Sequence, residues 1–411
     1  MLKSLIYIFT LISIFSCNPE NIKPVYQTGE WTFDRCIRPT DAVLYSNYIV
    51  LLENNRQSHD ISSDDNRFAD SKFTVINYLT NQIDTVFQKA LKHPNISKLY
   101  IKNDSLYAFD FTKKTWLKWQ DKWVKKSPFN NKFFLEFQKS LLKIKSRLIY
   151  EDDKYFVFSY DRGEFGAAVI FLNKANGTIT GQTMITPTSV FKDSSEYIVS
   201  GNSWYYMKMS QLIRIKNPDL LPTVPDEQIM YKKDSAKYDF RHQKNLAYYL
   251  EYQISDKLPD SIRLKLLSLK KKVIKLYNKQ EFYIDEIKLL KRERDSLLKL
   301  SNVLEYLIDN AHWYKHDETL CYATFIHKNK LLHLLGDSTL YVAQINNHKI
   351  IKQPDTIIAR ELPTQFLIAN EQIKDKKLIV FNGDLLKDKD TCCKVHCLLI
   401  DNKIVKRYNI K

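Results

Sequence analysis

Few groups of side chains in this 411-residue chain have the types and spacing to do chemistry. Trp116, Trp119 and Trp123 alternate with Lys113, Lys114, Lys118, Lys122, Lys125 and Lys126. Aromatic faces interleaved with cations stack on sugar rings or bases and hold anions. The competing reading is a twisted outer hairpin whose Trp side chains pack a sheet while the Lys side chains face water. Asp161-Arg162-Gly163-Glu164 is a charged loop between two apolar segments, and Glu151-Asp152-Asp153 is similar. Carboxylates paired on such loops can serve as acid and base, or as nucleophile. Cys392-Cys393-Lys394-Val395-His396-Cys397 has metal-ligand residue types, but neither C-x-x-C spacing nor a second ligand pair nearby. His312 and His316 stand four apart, yet no Glu follows the first, so the zinc-protease motif is absent. There is no Gly-rich phosphate loop and no Gly-x-Ser-x-Gly elbow. No catalytic residue, metal or cofactor is therefore assigned. Trp116, Trp119, Trp123, Asp161, Arg162 and Glu164 are the candidate ligand-binding residues.

The amino terminus carries a different kind of signal. Met1-Leu2-Lys3 is followed by the apolar run Leu5 to Ile12 and then by Ile14-Phe15-Ser16-Cys17. One positive charge, a short apolar run and a small residue are the order of a secretory signal peptide, here residues 1–16, and the run is too short to span a bilayer. The small residue before cysteine resembles the lipobox of bacterial lipoproteins. That resemblance implies that the Cys17 thiol takes a diacylglycerol and that Cys17 becomes the new amino terminus. The departures are Ile14, where Leu is usual, and the bulky Phe15; ordinary signal cleavage and an uncleaved anchor are the alternatives. The expected location is the cell envelope, as an outer-membrane lipoprotein facing the periplasm or the cell surface, with the membrane as a partner through the lipid.

The formal charge is +16. Anionic lipid head groups and acidic glycans are conceivable partners for a basic exported protein. The Lys residues are spread rather than clustered, and nucleic acid is not expected in that compartment. Asp followed by Ser or Thr and a small or aliphatic residue recurs, as at Asp84-Thr85-Val86, Asp104-Ser105-Leu106 and Asp260-Ser261-Ile262. The triplet is similar to a bacterial O-glycosylation acceptor, and it is equally turn and helix-cap chemistry.

The elements that must position these residues are mostly strands. From about residue 30 to 220, short apolar segments alternate with polar turns, among them Leu44 to Leu52, Leu106 to Phe111, Tyr155 to Tyr160 and Ala168 to Leu172. The same grammar returns after residue 320, with a unit of about 45 to 50 residues that suits four-stranded blades. The expected fold is mainly β, a six- or seven-bladed propeller-like body. The first and last β-segments should share or neighbour one blade, because an unpaired edge is a liability. Cys36 could then approach Cys397 closely enough for a disulfide.

Between these parts the pattern changes. From Ser261 to Asn310 there is neither Gly nor Pro. Ile262, Leu266, Leu269, Val273, Leu276, Tyr283, Ile287, Leu290, Leu297 and Leu304 fall at three-four spacing, which reads as coiled coil. One helix of about fifty residues, paired with a shorter one around Leu246 and Leu250, would make a projecting hairpin open to a protein partner or to a second copy. The domain reading is a signal peptide at 1–16, propeller at 17–225, helical insertion at 226–312 and last blades at 313–411. The function expected is a binding or scaffolding module. The alternative is a propeller hydrolase or lyase acting on envelope or dietary glycans.

Overall fold

The computed structural model describes residues 25–31, 39–53, 71–141, 146–161, 167–203, 209–224, 254–278, 284–309, 320–327, 330–336, 340–346, 349–359, 367–373, 376–382, 395–400 and 404–410. The chain opens with strand β1 (Val25–Trp31). Blade one follows as β2 (Pro39–Tyr45), β3 (Tyr48–Glu53), β4 (Lys72–Asn77) and β5 (Gln82–Ile83). Helix α1 (Thr85–Ala90) leads to blade two: β6 (Ile96–Lys102), β7 (Ser105–Asp110), β8 (Thr115–Trp119) and β9 (Trp123–Lys125). Helix α2 (Lys132–Leu141) precedes blade three: β10 (Ser146–Glu151), β11 (Tyr155–Asp161), β12 (Ala167–Asn173) and β13 (Ile179–Met184).

Blade four begins with β14 (Pro187–Asp193), β15 (Glu196–Ser203) and β16 (Met209–Ile215). Helices α3 (Asp260–Asn278) and α4 (Ile284–Leu300) intervene before its fourth strand, β17 (Leu304–Asp309). Blade five is β18 (Leu320–His327), β19 (Lys330–Gly336), β20 (Leu340–Asn346) and β21 (Lys349–Ala359). A closing sheet completes the body with β22 (Leu367–Ile373), β23 (Lys376–Asn382), β24 (Val395–Ile400), β25 (Ile404–Ile410) and, beside β25, the opening strand β1. Six or seven four-stranded blades were expected; the described residues form five, plus this five-stranded closing sheet.

Closure joins the two ends as ring logic requires. Val25 to Trp31 pair in parallel with Ile404 to Ile410, which covers one edge of the closing sheet. On the other side β2 of blade one packs against β22 and β23. The first strands of neighbouring sheets, such as β2 with β6 and β14 with β18, touch one another and so gather towards the middle.

Each blade buries both faces, which is why its strands read as continuous apolar runs rather than clean alternation. Ile49 and Leu51 join a core shared with Leu378, Val380 and Leu399 of the closing sheet. Val50 and Leu52, one residue along, join the core shared with Leu106 and Ala108 of blade two. Phe156 and Phe158 face Trp116 and Phe109 of blade two, whereas Tyr155 and Val157 face Val199 and Ile213 of blade four. The run Leu44 to Leu52 is accordingly two strands and not one. Its polar Ser46-Asn47 pair forms the turn, with Ser46 at φ 53°.

A repeat that shares no letters also emerges. In all six sheets the pairing of the first strand with the second slips by one residue, at Pro39/Asp41, Ile96/Lys98, Leu148/Tyr150, Pro187/Ser189, Cys321/Ala323 and Leu367/Ala369. In three of them the skipped residue carries a hydroxyl that donates to a carbonyl of the second strand: Thr40 to Leu52 O at 3.2 Å, Ser97 to Phe109 O at 3.5 Å and Thr188 to Ser200 O at 3.1 Å. The bulge leaves a backbone group unpaired, and the hydroxyl satisfies it.

The helical region departs from its sequence reading. The seam is split between α3 and α4, and no coiled-coil insertion is present among the described residues. Leu304 and Ile308 are not helical at all; they sit in β17, paired with Ile215 and Leu212. The helix stops where it does because Ser301-Asn302 caps it. Asn302 adopts φ 58°, its N–H donates to Lys299 O at 3.1 Å, and Val303 N–H donates to Leu298 O at 3.1 Å. This is a Schellman closure with Asn in the place usually held by Gly. The helices are tied to the body at their base. Leu258, Leu266, Val303 and Leu304 are buried in the core of blades three and four, with Ile262, Leu297 and Leu298 packed against it.

Candidate functional site

The carboxylates singled out in the sequence are rivets between blades. Glu151 ends β10; its Oε1 accepts from Lys102 Nζ of blade two at 2.8 Å and from Lys174 Nζ at 2.6 Å, while Oε2 accepts from Tyr100 OH at 2.5 Å. Burial pushes the Glu151 pKa up, but these bonds outweigh it and hold the carboxyl below the usual range. Asp152 does the same towards blade four. Its Oδ2 accepts from Lys192 Nζ at 2.7 Å and Tyr197 OH at 2.6 Å, its Oδ1 from the N–H groups of Lys154 and Tyr155. Burial again raises the Asp152 pKa and is outweighed, so the group stays ionised. A carboxylate held by cations in this way is poor at taking or giving a proton at neutral pH. Asp161 closes β11 opposite Ala167, and Arg162 and Glu164 lie outside the described residues.

The Trp residues pack the propeller. Trp116 is 8% exposed, within ring contact of Tyr100, Phe109 and Phe129. Trp119 is equally buried against Phe87 and Trp123, and Trp123 Nε1 donates to Leu91 O at 3.0 Å. Their faces are taken by other rings, so they form no open platform for a sugar or a base. Cys17 and Cys36 lie outside the described residues, as do His312, His316, Cys392 and Cys393. Cys397 is a free, fully buried thiol of the core under the closing sheet, its pKa raised by that burial. Cys36, the expected partner in a bridge, lies outside the described residues.

Of the interaction stripe, Leu266 and Leu269 are buried, and Ile262, Val273, Leu290 and Leu297 are half-buried; for Leu276, Tyr283 and Ile287 the side chains lie outside the described set. What this stripe creates is a cleft. Leu266, Leu269 and Val273 of α3 and Leu290 and Leu298 of α4 form its helical walls. Leu221, Pro222, Val303 and Leu304 form the floor on the side of blade four. The cavity volume is about 90 Å³, open to solvent on one side. Lys270 of α3 and Lys291 and Arg294 of α4 also line it, with Arg294 held by Asp295 at 2.9 Å. Gln182 and Ser255 supply the only uncharged polar side chains among the described lining residues, and no carboxylate is among those residues.

This combination was only partly visible in the sequence. The three-four spacing marked the stripe, and Lys270 and Lys291 were visible between seam residues. The floor comes from Leu221 and Val303, distant in sequence, which only the return of the chain into blade four brings together. Of the stripe, Ile262, Leu266, Leu297 and Leu304 join the core of blades three and four, while Leu269, Val273 and Leu290 line the cleft.

No family model matches the chain, and no curated protein does. Among solved structures it is similar to the β-propeller domain of the Trilobed protease from Pyrococcus furiosus, at 8% identity and a TM-score of 0.31, over 89% of this chain and 94% of that one. It is also similar to a post-proline cleaving enzyme from Rickettsia typhi, at 8% identity and TM-score 0.27, over 90% of this chain and 44% of that one. Drosophila Semaphorin 2a aligns at 8% identity and TM-score 0.26, over 82% and 59%. The assignment of this chain as a mainly β propeller rests on its own ring of sheets, closed by the pairing of β1 with β25.

Proposed function

We propose that this chain is an exported binding or scaffolding protein of the cell envelope, anchored by lipid on Cys17 and presenting its propeller and helical pair to a partner. The observation that carries the binding reading is the cleft between α3, α4 and blade four, apolar within and basic at its edge. The carboxylates Glu151 and Asp152 support it from the other side, since their oxygens are committed to interblade bonds. The exposed leucines of the helical pair offer a surface for protein contact: Leu264 is 63% and Leu267 38% exposed on α3, and Leu289 64% on α4. Singly exposed leucines are ordinary, but several on one pair of helices suit association with a second protein.

The anchor is supported by the residue order before Cys17. It is tested by fractionation of cells expressing the wild-type chain and Cys17→Ser, with mass spectrometry of the amino-terminal peptide. The expected result is a membrane-bound chain whose first residue is acylated Cys17, and release of the variant into the soluble fraction. A variant that remains with the membrane, or an unmodified Cys17, overturns the anchor.

A further inference from the structure

We infer that one rim of the propeller, formed by the closing sheet and blade one, rests on the lipid bilayer, with Leu79, Ile83 and Val86 as its apolar contact. The inference rests on the reading of Cys17 as the lipid anchor and adds the direction in which the body faces. It starts from where the chain enters the fold. Val25 pairs with Ile404, the first residue of β25, so β1 starts beside the turn that joins β24 to β25. Only seven residues separate Cys17 from Val25. At about 3.3–3.6 Å per residue, a span of that length reaches at most about 29 Å. Acyl chains on Cys17 therefore hold this end of the closing sheet close to the bilayer.

That end belongs to one face of the propeller. In the closing sheet and in blade one, the first strand turns into the second at the same end as the third turns into the fourth, because these strands are antiparallel. The two sheets are set the same way round. Leu44, Ile49 and Tyr78 of blade one share a core with Leu378 and Leu399 of the closing sheet, and all five lie near such turns. Val25 thus starts on the face that carries these turns, and blade one is the neighbouring sheet.

On that face blade one exposes apolar side chains. Leu79 stands at the turn between β4 and β5 and is 61% exposed; Ile83 of β5 is 36% and Val86 of α1 is 78% exposed. Helix α1 belongs to the same end, since Phe87 packs on Tyr45 and Tyr48, which flank the turn between β2 and β3. The apex is held by Asn77, whose Oδ1 accepts from the N–H groups of Leu79 and Thr80 at 3.0 and 3.3 Å. From Leu79 to Ala90 the one carboxylate is Asp84, and its Oδ1 caps α1. Aliphatic side chains at the tip of an ordered turn gain by leaving water for hydrocarbon, and little charge goes with them. The short tether keeps the bilayer at this rim, so the contact is intramolecular and needs little affinity of its own. The helical pair belongs to blade four, across the ring of six sheets from blade one.

The test uses the acylated full chain in phosphatidylcholine vesicles whose acyl chains carry bromine. An environment-sensitive fluorescent residue replaces Val86 or, as a control, Lys113. Lys113 lies in the turn between β7 and β8, at the opposite face: Ser71 before β4 donates to the carbonyl of Ile96 at the start of β6, which sets blade two like blade one. The expected result is blue-shifted emission from position 86 that bromine quenches, and emission from position 113 that bromine leaves unchanged. Leu79→Asp puts a charge at the apex and should lower the quenching at position 86 about twofold or more, while the urea midpoint stays at the wild-type value because the side chain is exposed. Absence of quenching at 86, equal quenching at 86 and 113, or quenching unmoved by Leu79→Asp overturns the inference and leaves the anchor standing. A glycan on Thr85, within the Asp84-Thr85-Val86 triplet, overturns it as well, because a sugar there keeps α1 out of lipid. Mass spectrometry of the same sample reads Cys17 separately, and an unacylated Cys17 overturns the anchor and this inference with it.

Discussion

At the scale of single residues, the polar groups inside this protein act mostly as ties. Asp41 shows how. It lies on β2, its Oδ2 accepts from the Leu99 N–H of blade two at 2.8 Å, and its Oδ1 accepts from the Ala42 N–H at 3.0 Å. Burial raises its pKa and outweighs the influence of Arg147, 3.7 Å away. His333 of blade five makes the cleanest prediction. Burial holds its pKa down at about 4, helped by the Arg214 charge, with Thr324 Oγ1 at 3.0 Å from Nδ1. The unfolded chain binds this proton near the ordinary value of about 6.5, so between there and about 4 the unfolded state carries more protons. Stability should thus be complete above pH about 6.5 and fall as pH drops to about 4, by about 3 kcal/mol from this group. The lowered carboxylates add their own loss at the acid end: Glu151 and Glu305 from the ordinary glutamate value of 4.5 downward, inside the lower part of that window, and Asp152 and Asp219 from 3.8 downward, below it. Urea unfolding from pH 7 to 4 checks the point. His333→Gln should flatten the slope in that window relative to wild type, and a parallel slope would refute the assignment.

At the scale of elements, the sequence was legible where local rules act alone. The hairpin between β6 and β7, with Asn103 and Asp104 both at positive φ, and the Asn176-Gly177 turn before β13 follow from turn chemistry. Gly177 is also needed for space, since a Cβ there would stand 2.4 Å from the Phe133 ring. Asp84 caps α1 by accepting from Phe87 N–H at 2.8 Å, the cap role open to an Asp-Thr pair. The end of α4 was not legible, because helical spacing runs on through Leu304 and Ile308 while the stop is a single Asn. Three-four spacing and a half-buried strand share short apolar patterns, and tertiary pairing with β16 decides. The bulges of the first strands were equally hidden, since Thr40, Ser97 and Thr188 share only a hydroxyl. The closure at Asn302 carries an expected outcome. Asn302→Val, forced into a left-handed conformation, should cost about 1–2 kcal/mol, whereas Asn302→Gly should cost nothing or stabilise slightly. Thermal unfolding of the two variants separates them; equal melting would contradict the role given to this residue.

At the scale of the whole molecule, the central claim is that the helical pair and the propeller are one body, with the cleft between them. Among the described residues, interblade cores link the closing sheet to blade one and run on from blade to blade as far as blade five. The helices enter that chain of cores at blades three and four through Leu266, with Ile262, Leu297 and Leu298 packed against it. A hairpin that merely projected would unfold on its own. The decisive measurement follows urea unfolding of the chain and of Leu266→Ala by two probes at once: helical circular dichroism, and Trp fluorescence, whose buried reporters Trp116 and Trp119 sit in blade two, away from the helices. Truncating a buried leucine costs about 2–5 kcal/mol. One body predicts that the two probes coincide in wild type and shift together to lower urea in the variant. Loss of the helical signal at lower urea, with the Trp transition unmoved by Leu266→Ala, would contradict it.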